Sequence, residues 1–139
     1  MSYPVEINKS YNLNINLENN KIINGTTIIP PKVKFNKITK DDEAYYIYWN
    51  NIDSLYFEWT LKSDESIFYE VGSKPSYANF ARINKRNIYK NIKYYLEVYT
   101  FDKNLSDYYS KEKDRFGIDK FYGVFGSKTK TIIDVNFDF

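Results

Sequence analysis

Residues 88–102 read IYKNIKYYLEVYTFD. From Tyr94 the stretch alternates: Leu96, Val98 and Thr100 share the parity of Tyr94, while Tyr95, Glu97, Tyr99 and Phe101 take the other. A period of two is the pattern of a β-strand whose faces meet different surroundings. An apolar residue, Ile88, stands six positions before Tyr94. Tyrosine, valine and threonine all suit a pleated, partly buried surface. This segment therefore points to a β fold.

Working outward, the same alternation recurs. Val5, Ile7, Tyr11, Leu13, Ile15 and Leu17 fall on odd positions, with Glu6, Asn8, Asn12, Asn14 and Asn16 between them. That predicts one half-buried strand or two joined ones. The run Glu18-Asn19-Asn20-Lys21 reads as a turn. Asn24-Gly25, between Ile22-Ile23 and residues 26–29, is a hairpin signal. Pro30-Pro31 stops the ladder, since neither proline can donate to it. Val33 and Phe35 then point inward from an expected strand, and AYYIYW over 44–49 is the next. Leu55, Phe57 and Trp59 alternate in another. Phe68 with Val71, and Phe80 with Ile83, mark two more, with a loop at 72–76. Residues 104–115 are polar and read as a long loop or a short helix starting near Ser106. FYGVF at 121–125 and residues 130–139 are again strand-like. In the last, Ile133, Val135, Phe137 and Phe139 alternate with Asp134, Asn136 and Asp138.

Trp49 closing the second of these strands, and Ile88, Tyr94, Leu96 and Val98 around the sixth, resemble an Ig-like β-sandwich of the fibronectin type III kind. The resemblance covers about residues 30–125. The family usually has leucine where Ile88 stands, and often proline and threonine where Lys90 and Asn91-Ile92 stand. The cysteine pair of antibody domains is absent, so the type III variant is the nearer match. The resemblance implies a tyrosine corner, in which the Tyr94 hydroxyl bonds the backbone a few residues upstream while the ring packs. The expected architecture is all-β, with an N-terminal β-hairpin arm over 1–29 and a sandwich over 30–139 ending in an amphipathic strand. A plain β-sandwich or a partly open barrel carries the same alternation.

Composition bounds the chemistry. The 139 residues hold one domain, or one domain with an arm. No cysteine is present, so no disulfide forms and no thiolate attacks a substrate or binds a metal. No histidine is present, which removes the commonest general base and metal ligand near neutral pH. Hydrolase triads built on histidine are excluded. Neither catalytic nor cofactor-binding residues are expected, and no metal site. The net charge of +2 gives no strong field for nucleic acid or membrane. Lysine far outnumbers arginine, which argues against base readout. The opening MSYPVEINKS carries Glu6 and no apolar run, so no secretory signal is expected there. No stretch approaches the roughly 18 apolar residues of a membrane span.

Three sets of residues carry the candidate interactions. Arg82, Lys85, Arg86, Lys90 and Lys93 form a basic cluster interleaved with Tyr77, Phe80 and Tyr89, and no acidic residue lies between Val71 and Lys93. Such a pattern suits an acidic partner, or a solvated face. Tyr95, Tyr99 and Phe101, with Tyr46 and Tyr48, would line an outer face as a row of rings, an interface or a sugar-stacking platform unless a second layer covers them. Ile133, Val135, Phe137 and Phe139 form a terminal strand that must pair with something. It closes its own sheet, or adds to a neighbour's by strand addition or exchange. The same holds for residues 1–29. Asp41-Asp42-Glu43 lacks the spacing of a calcium loop and reads as a solvated turn. Together these features point to a non-catalytic module that binds a protein partner or self-assembles, such as a component of a phage or other virion, or of a bacterial surface complex. A carbohydrate-binding or toxin-associated accessory module is the alternative.

Overall fold

The computed structural model describes residues 5–64, 71–110, 115–116 and 123–138. Phe68, Phe121 and Phe139 of the expected strands lie outside these residues. The fold is mostly β. In chain order the strands are β1 (Ser10–Asn16), β2 (Ile22–Ile28), β3 (Phe35–Lys40), β4 (Ala44–Trp49), β5 (Phe57–Ser63), β6 (Val71–Gly72), β7 (Phe80–Asn84) and β8 (Tyr94–Phe101). Helix α1 (Lys103–Ser110) follows, then the short parallel pair β9 (Arg115–Phe116) and β10 (Gly123–Val124), and last β11 (Lys128–Val135). The larger sheets run β3-β4-β7 and β11-β8-β5-β6, and β1 pairs with β2 in a separate antiparallel ribbon.

The chain divides into two compact units. One comprises Met1–Lys32, Ser54–Tyr56 and Thr100–Thr129, and the other Val33–Asp53, Phe57–Tyr99 and Lys130–Phe139. The hairpin read as an arm thus shares its unit with the segment that follows β8.

The second unit is built on a single apolar core between its two sheets. Tyr45, Ile47 and Trp49 of β4, with Ala81 and Ile83 of β7, supply one side. Phe57, Trp59 and Leu61 of β5, Leu96 and Val98 of β8, and Ile133 of β11 supply the other. Each side takes every second residue of its strands, as a sheet with one buried face requires. Trp49 meets the edge of Phe57, with ring centroids 5.7 Å apart. Burying each large side chain removes water from apolar surface and contributes about 1.5–3 kcal/mol before the entropy cost of ordering it.

Tyr94 enters this core at the start of β8. Its hydroxyl accepts a hydrogen bond from the Tyr89 backbone N–H at 2.6 Å, five residues upstream. Between them Asn91 takes a left-handed φ of 66°, which asparagine tolerates better than most residues, and the chain reverses there. The Tyr94 ring packs edge-on against Phe137, 5.4 Å between centroids, and Phe137 also meets Tyr45 at 4.8 Å.

The first unit is held differently. Asp102 is buried, and one carboxylate oxygen accepts the Leu105 backbone N–H at 2.9 Å, capping α1 at its start. The other oxygen accepts the Thr27 hydroxyl, which also lies 2.7 Å from the Ser127 hydroxyl. Ser106 accepts the Tyr56 backbone N–H at 2.9 Å, and its own N–H donates to the Asp102 carbonyl. A Cβ on Gly126 would stand 2.6 Å from Leu105 Cγ and 2.8 Å from Asp102 Oδ1, so only glycine fits against this cluster.

Several expectations are corrected here. The hairpin turn is not at Asn24-Gly25. β2 runs straight through them, with Leu13 opposite Gly25 and Asn14 opposite Asn24. The chain reverses at residues 18–20, where Asn20 adopts φ 61° and the Leu17 N–H bonds the Lys21 carbonyl at 2.7 Å. A turn at residues 24–25 would pair residues 26–29 with 20–23 and forfeit the ladder from Ser10–Ile28 to Asn16–Ile22. Phe35 does not point inward beside Val33. A register shift between Phe35 and Lys37 forms a bulge, and Phe35 is 52% exposed while Val33 is buried. The helix begins at Lys103 rather than near Ser106, because Asp102 supplies the cap.

Candidate interaction surface

Strand β1 has two sides, and the register identifies which backbone groups face each. The Ile29 N–H bonds the Lys9 carbonyl, and the Leu17 N–H bonds the Lys21 carbonyl, at the two ends of the β1–β2 ladder. Pairs in an antiparallel ladder alternate between bonded and non-bonded. The odd residues of β1, Tyr11, Leu13 and Ile15, therefore turn their N–H and C=O toward β2. Ser10, Asn12, Asn14 and Asn16 turn theirs to the opposite side, where no strand among the described residues pairs with β1.

The far side of β2 is covered. The Thr26 carbonyl accepts the Asn104 side-chain amide at 2.7 Å, and the Ile28 carbonyl accepts the Ser127 hydroxyl at 3.5 Å. Beyond the strand, the Pro30 carbonyl accepts the Thr129 hydroxyl at 2.7 Å. One edge of the ribbon is capped by side chains, and no strand among the described residues lies on the other. The open edge carries no charge from Ser10 to Leu17 and no bulge. Val5, Ile7, Ile15, Leu17, Ile22 and Ile28 of the ribbon and the segment before it are exposed, Ile28 by 58%, with Ile15 on one face and Ile22 and Ile28 on the other.

The basic cluster is not a single patch of uncommitted charge. Arg82 pairs with Glu43 at 3.4 Å, and the Tyr46 hydroxyl beside it raises the guanidinium pKa further. Lys85 sits 5.5 Å over the Tyr45 ring. Arg86 is exposed on the turn after β7, and Lys90 and Lys93 flank an open groove of about 600 Å3 that Asp134 and Asn136 also line. Asp41, in the acidic run, closes the β3–β4 turn. Its carboxylate accepts the backbone N–H groups of Glu43 and Ala44 at 2.8 Å and the Tyr46 hydroxyl at 2.8 Å. These bonds, the Glu43 N–H foremost, lower its pKa below the usual carboxylate value. Among the described residues no group of acidic side chains is arranged to hold a metal ion.

The expected row of outward rings is broken. Phe101 is buried, with its ring 5.5 Å from Tyr109 of α1. Tyr95 and Tyr99 are half-buried, and Tyr46 and Tyr48 pack on Phe80 at 6.2 and 5.5 Å. Between Tyr95 and Tyr99 sits Glu97, buried on the face away from the core and reached by Lys62 at 3.2 Å and Lys130 at 3.8 Å. The Tyr99 hydroxyl donates to the same carboxylate at 3.3 Å, and burial, with the nearby Glu97 charge, raises its pKa. The alternation at 94–101 hides Glu97, because a covered second face admits a charge only when cations from neighbouring strands reach it.

Trp49, Ile88, Tyr94, Leu96 and Val98 all lie in the core of the second unit. Ile133 and Phe137 join them, and Val135 is partly buried against them, so this strand packs within its own chain. Among the described residues no helix is long and apolar enough to cross a membrane.

With this geometry in hand, the chain was compared with protein-family profiles, with curated proteins and with solved structures, and none matches it.

Proposed function

We propose that this chain is a non-catalytic β-sandwich module whose work is protein binding or assembly, of the kind found in a virion particle or a bacterial surface complex. The observation that carries this reading is the uncharged edge of β1, against which no strand among the described residues pairs, in a ribbon that exposes aliphatic residues on both faces. Unpaired main-chain groups on such an edge are a template for another strand, and proteins usually blunt them with charge, proline or a bulge. Strand addition is a recurrent mode of recognition in which the main chain gives affinity and alternate side chains give specificity.

The fold part of the reading is a fibronectin type III-like sandwich. It is supported by the strand order of the second unit. Counting its strands from β3, the first, second and fifth form one sheet, and the seventh, sixth, third and fourth the other. The bond from the Tyr89 N–H to the Tyr94 hydroxyl supports it as well.

The test is sedimentation of the protein from its native source, beside a variant carrying Ile15→Lys and Ile28→Lys. Both sites are exposed, so the variant keeps its fold. The wild-type protein is expected to travel with itself or with a larger particle, and the variant to travel alone. A wild-type chain that sediments alone would sink the reading.

A further inference from the structure

We infer that the partner of the β1 edge is β1 of a second copy, paired antiparallel about a two-fold axis at Leu13. This rests on the proposed binding role and names its occupant. The open edge offers the main-chain groups of Ser10, Asn12, Asn14 and Asn16, all even positions. A two-fold at Leu13 sets even residues against even ones, Asn12 opposite Asn14 and Ser10 opposite Asn16 of the other copy. Each such pair exchanges both its N–H···O=C bonds.

The same register matches the side chains. On one face Leu13 meets its own symmetry mate, and Tyr11 meets Ile15, itself 40% exposed without a partner. Directly opposed aromatic and β-branched residues are favourable pairs. On the other face the asparagine side chains stand opposite one another, where their amides can bond. No charge of either sign lies anywhere from Ser10 to Leu17, so two copies meet without repulsion. Shifting the register by one residue would set apolar side chains against asparagine, which disfavours slippage.

The assembly closes at two copies. The far edge of β2 is capped at the Thr26 and Ile28 carbonyls by Asn104 and Ser127, so the joined ribbon β2-β1-β1-β2 ends in covered edges. An isologous interface of this kind is self-complementary and does not propagate.

The two larger sheets end in β3 and β7 and in β6 and β11, and β3 is poorly suited to self-pairing. Its bulge at Phe35/Lys37 breaks the ladder, and two copies of β3 would bring Lys37 and Lys40 of each into one interface.

The experiment is sedimentation equilibrium on the full chain with three variants. Asn14→Pro removes an N–H that points away from β2, so the hairpin ladder keeps all its bonds while the interface loses one from each copy. The wild-type chain is expected to be a dimer, and Asn14→Pro to weaken it about tenfold or more. A second variant, Asn12→Lys with Asn14→Lys, sets lysine against lysine across the axis and is expected to be monomeric. Mixing it with Asn12→Asp plus Asn14→Asp restores a dimer of the two. This pair decides the matter if the proline variant fails to fold. A wild-type chain that stays monomeric at millimolar concentration overturns the inference, as does a dimer insensitive to these changes. A monomer that still travels with a larger particle from its native source overturns this inference alone and leaves the binding reading standing.

Discussion

The two units hold themselves together by different means. In the unit containing β3 to β5, β7 and Tyr94, large apolar side chains from two sheets meet in one apolar core. In the unit containing β1, β2 and α1, hydroxyls and a carboxylate from residues far apart in sequence tie the backbone: Thr27, Asp102, Ser106, Asn104 and Ser127. The contrast extends to their edges. β3 is blunted by a bulge and two lysines, while β1 is long, regular and uncharged. Apolar packing is non-directional and tolerates variation in detail. A buried polar cluster stabilises only when every member is satisfied, and losing one partner leaves the others exposed to the full cost of desolvation. A unit of the second kind keeps less in reserve and leaves an edge that a neighbour can complete.

The largest expected effect is in the apolar unit. Trp49→Ala removes the biggest fully buried side chain and should cost about 3–5 kcal/mol, read as a lowered urea midpoint. Asp102→Ala tests the polar unit. It takes from the Thr27 hydroxyl one of its two partners and uncaps α1, and should cost about 2–3 kcal/mol. If it costs less than about 0.5 kcal/mol, on the scale of an unremarkable surface substitution, the contrast between the units fails. Tyr94→Phe keeps the ring and removes the hydroxyl with its bonds to the Tyr89 N–H and carbonyl, so about 1–2 kcal/mol is expected. A near-zero result would mean that the ring alone carries the corner, sharpening the view of that unit as packing-driven.

The smallest effect concerns the turn beside the protected edge. The Asp41 pKa is lowered in the folded chain, so its contribution is present above the ordinary carboxylate pKa and is lost as pH falls through the lower folded value. Amide shifts of Glu43 and Ala44 should therefore titrate together below the usual aspartate range. Titration at or above that range would show that the Asx turn is not formed in solution.

How much of this was legible differs between the units for the same reason. Trp49, Leu96 and Val98, singled out in 44–49 and 94–101, are core residues, because a period of two with one buried face is a local property of the chain. The type III resemblance implied a bond between the Tyr94 hydroxyl and the backbone a few residues upstream, and the Tyr89 N–H makes one. The cluster around Asp102 left no such trace, since its partners lie as far off as Thr27 and Ser127. Phe101 was assigned by parity to an outer row and is instead buried beneath Tyr109, because parity says which face a side chain takes but not what covers that face. Asn24-Gly25 read as a turn, yet the pairing of β1 with β2 overrode that local preference, and the reversal lies at residues 18–20, within the run Glu18–Lys21 that also read as a turn.

The sequence by itself determined that the chain is a β protein with no cysteine or histidine chemistry, and it named the inward residues of the central strands. Periodicity and composition are fixed by the order of residues alone. Only the tertiary structure decided which strand edges are capped, which are blunted and which stay open. An edge is defined by what lies beside it in space, and the hydrogen-bonding direction of Asn12 or Asn14 is set by the register with β2 rather than by either residue.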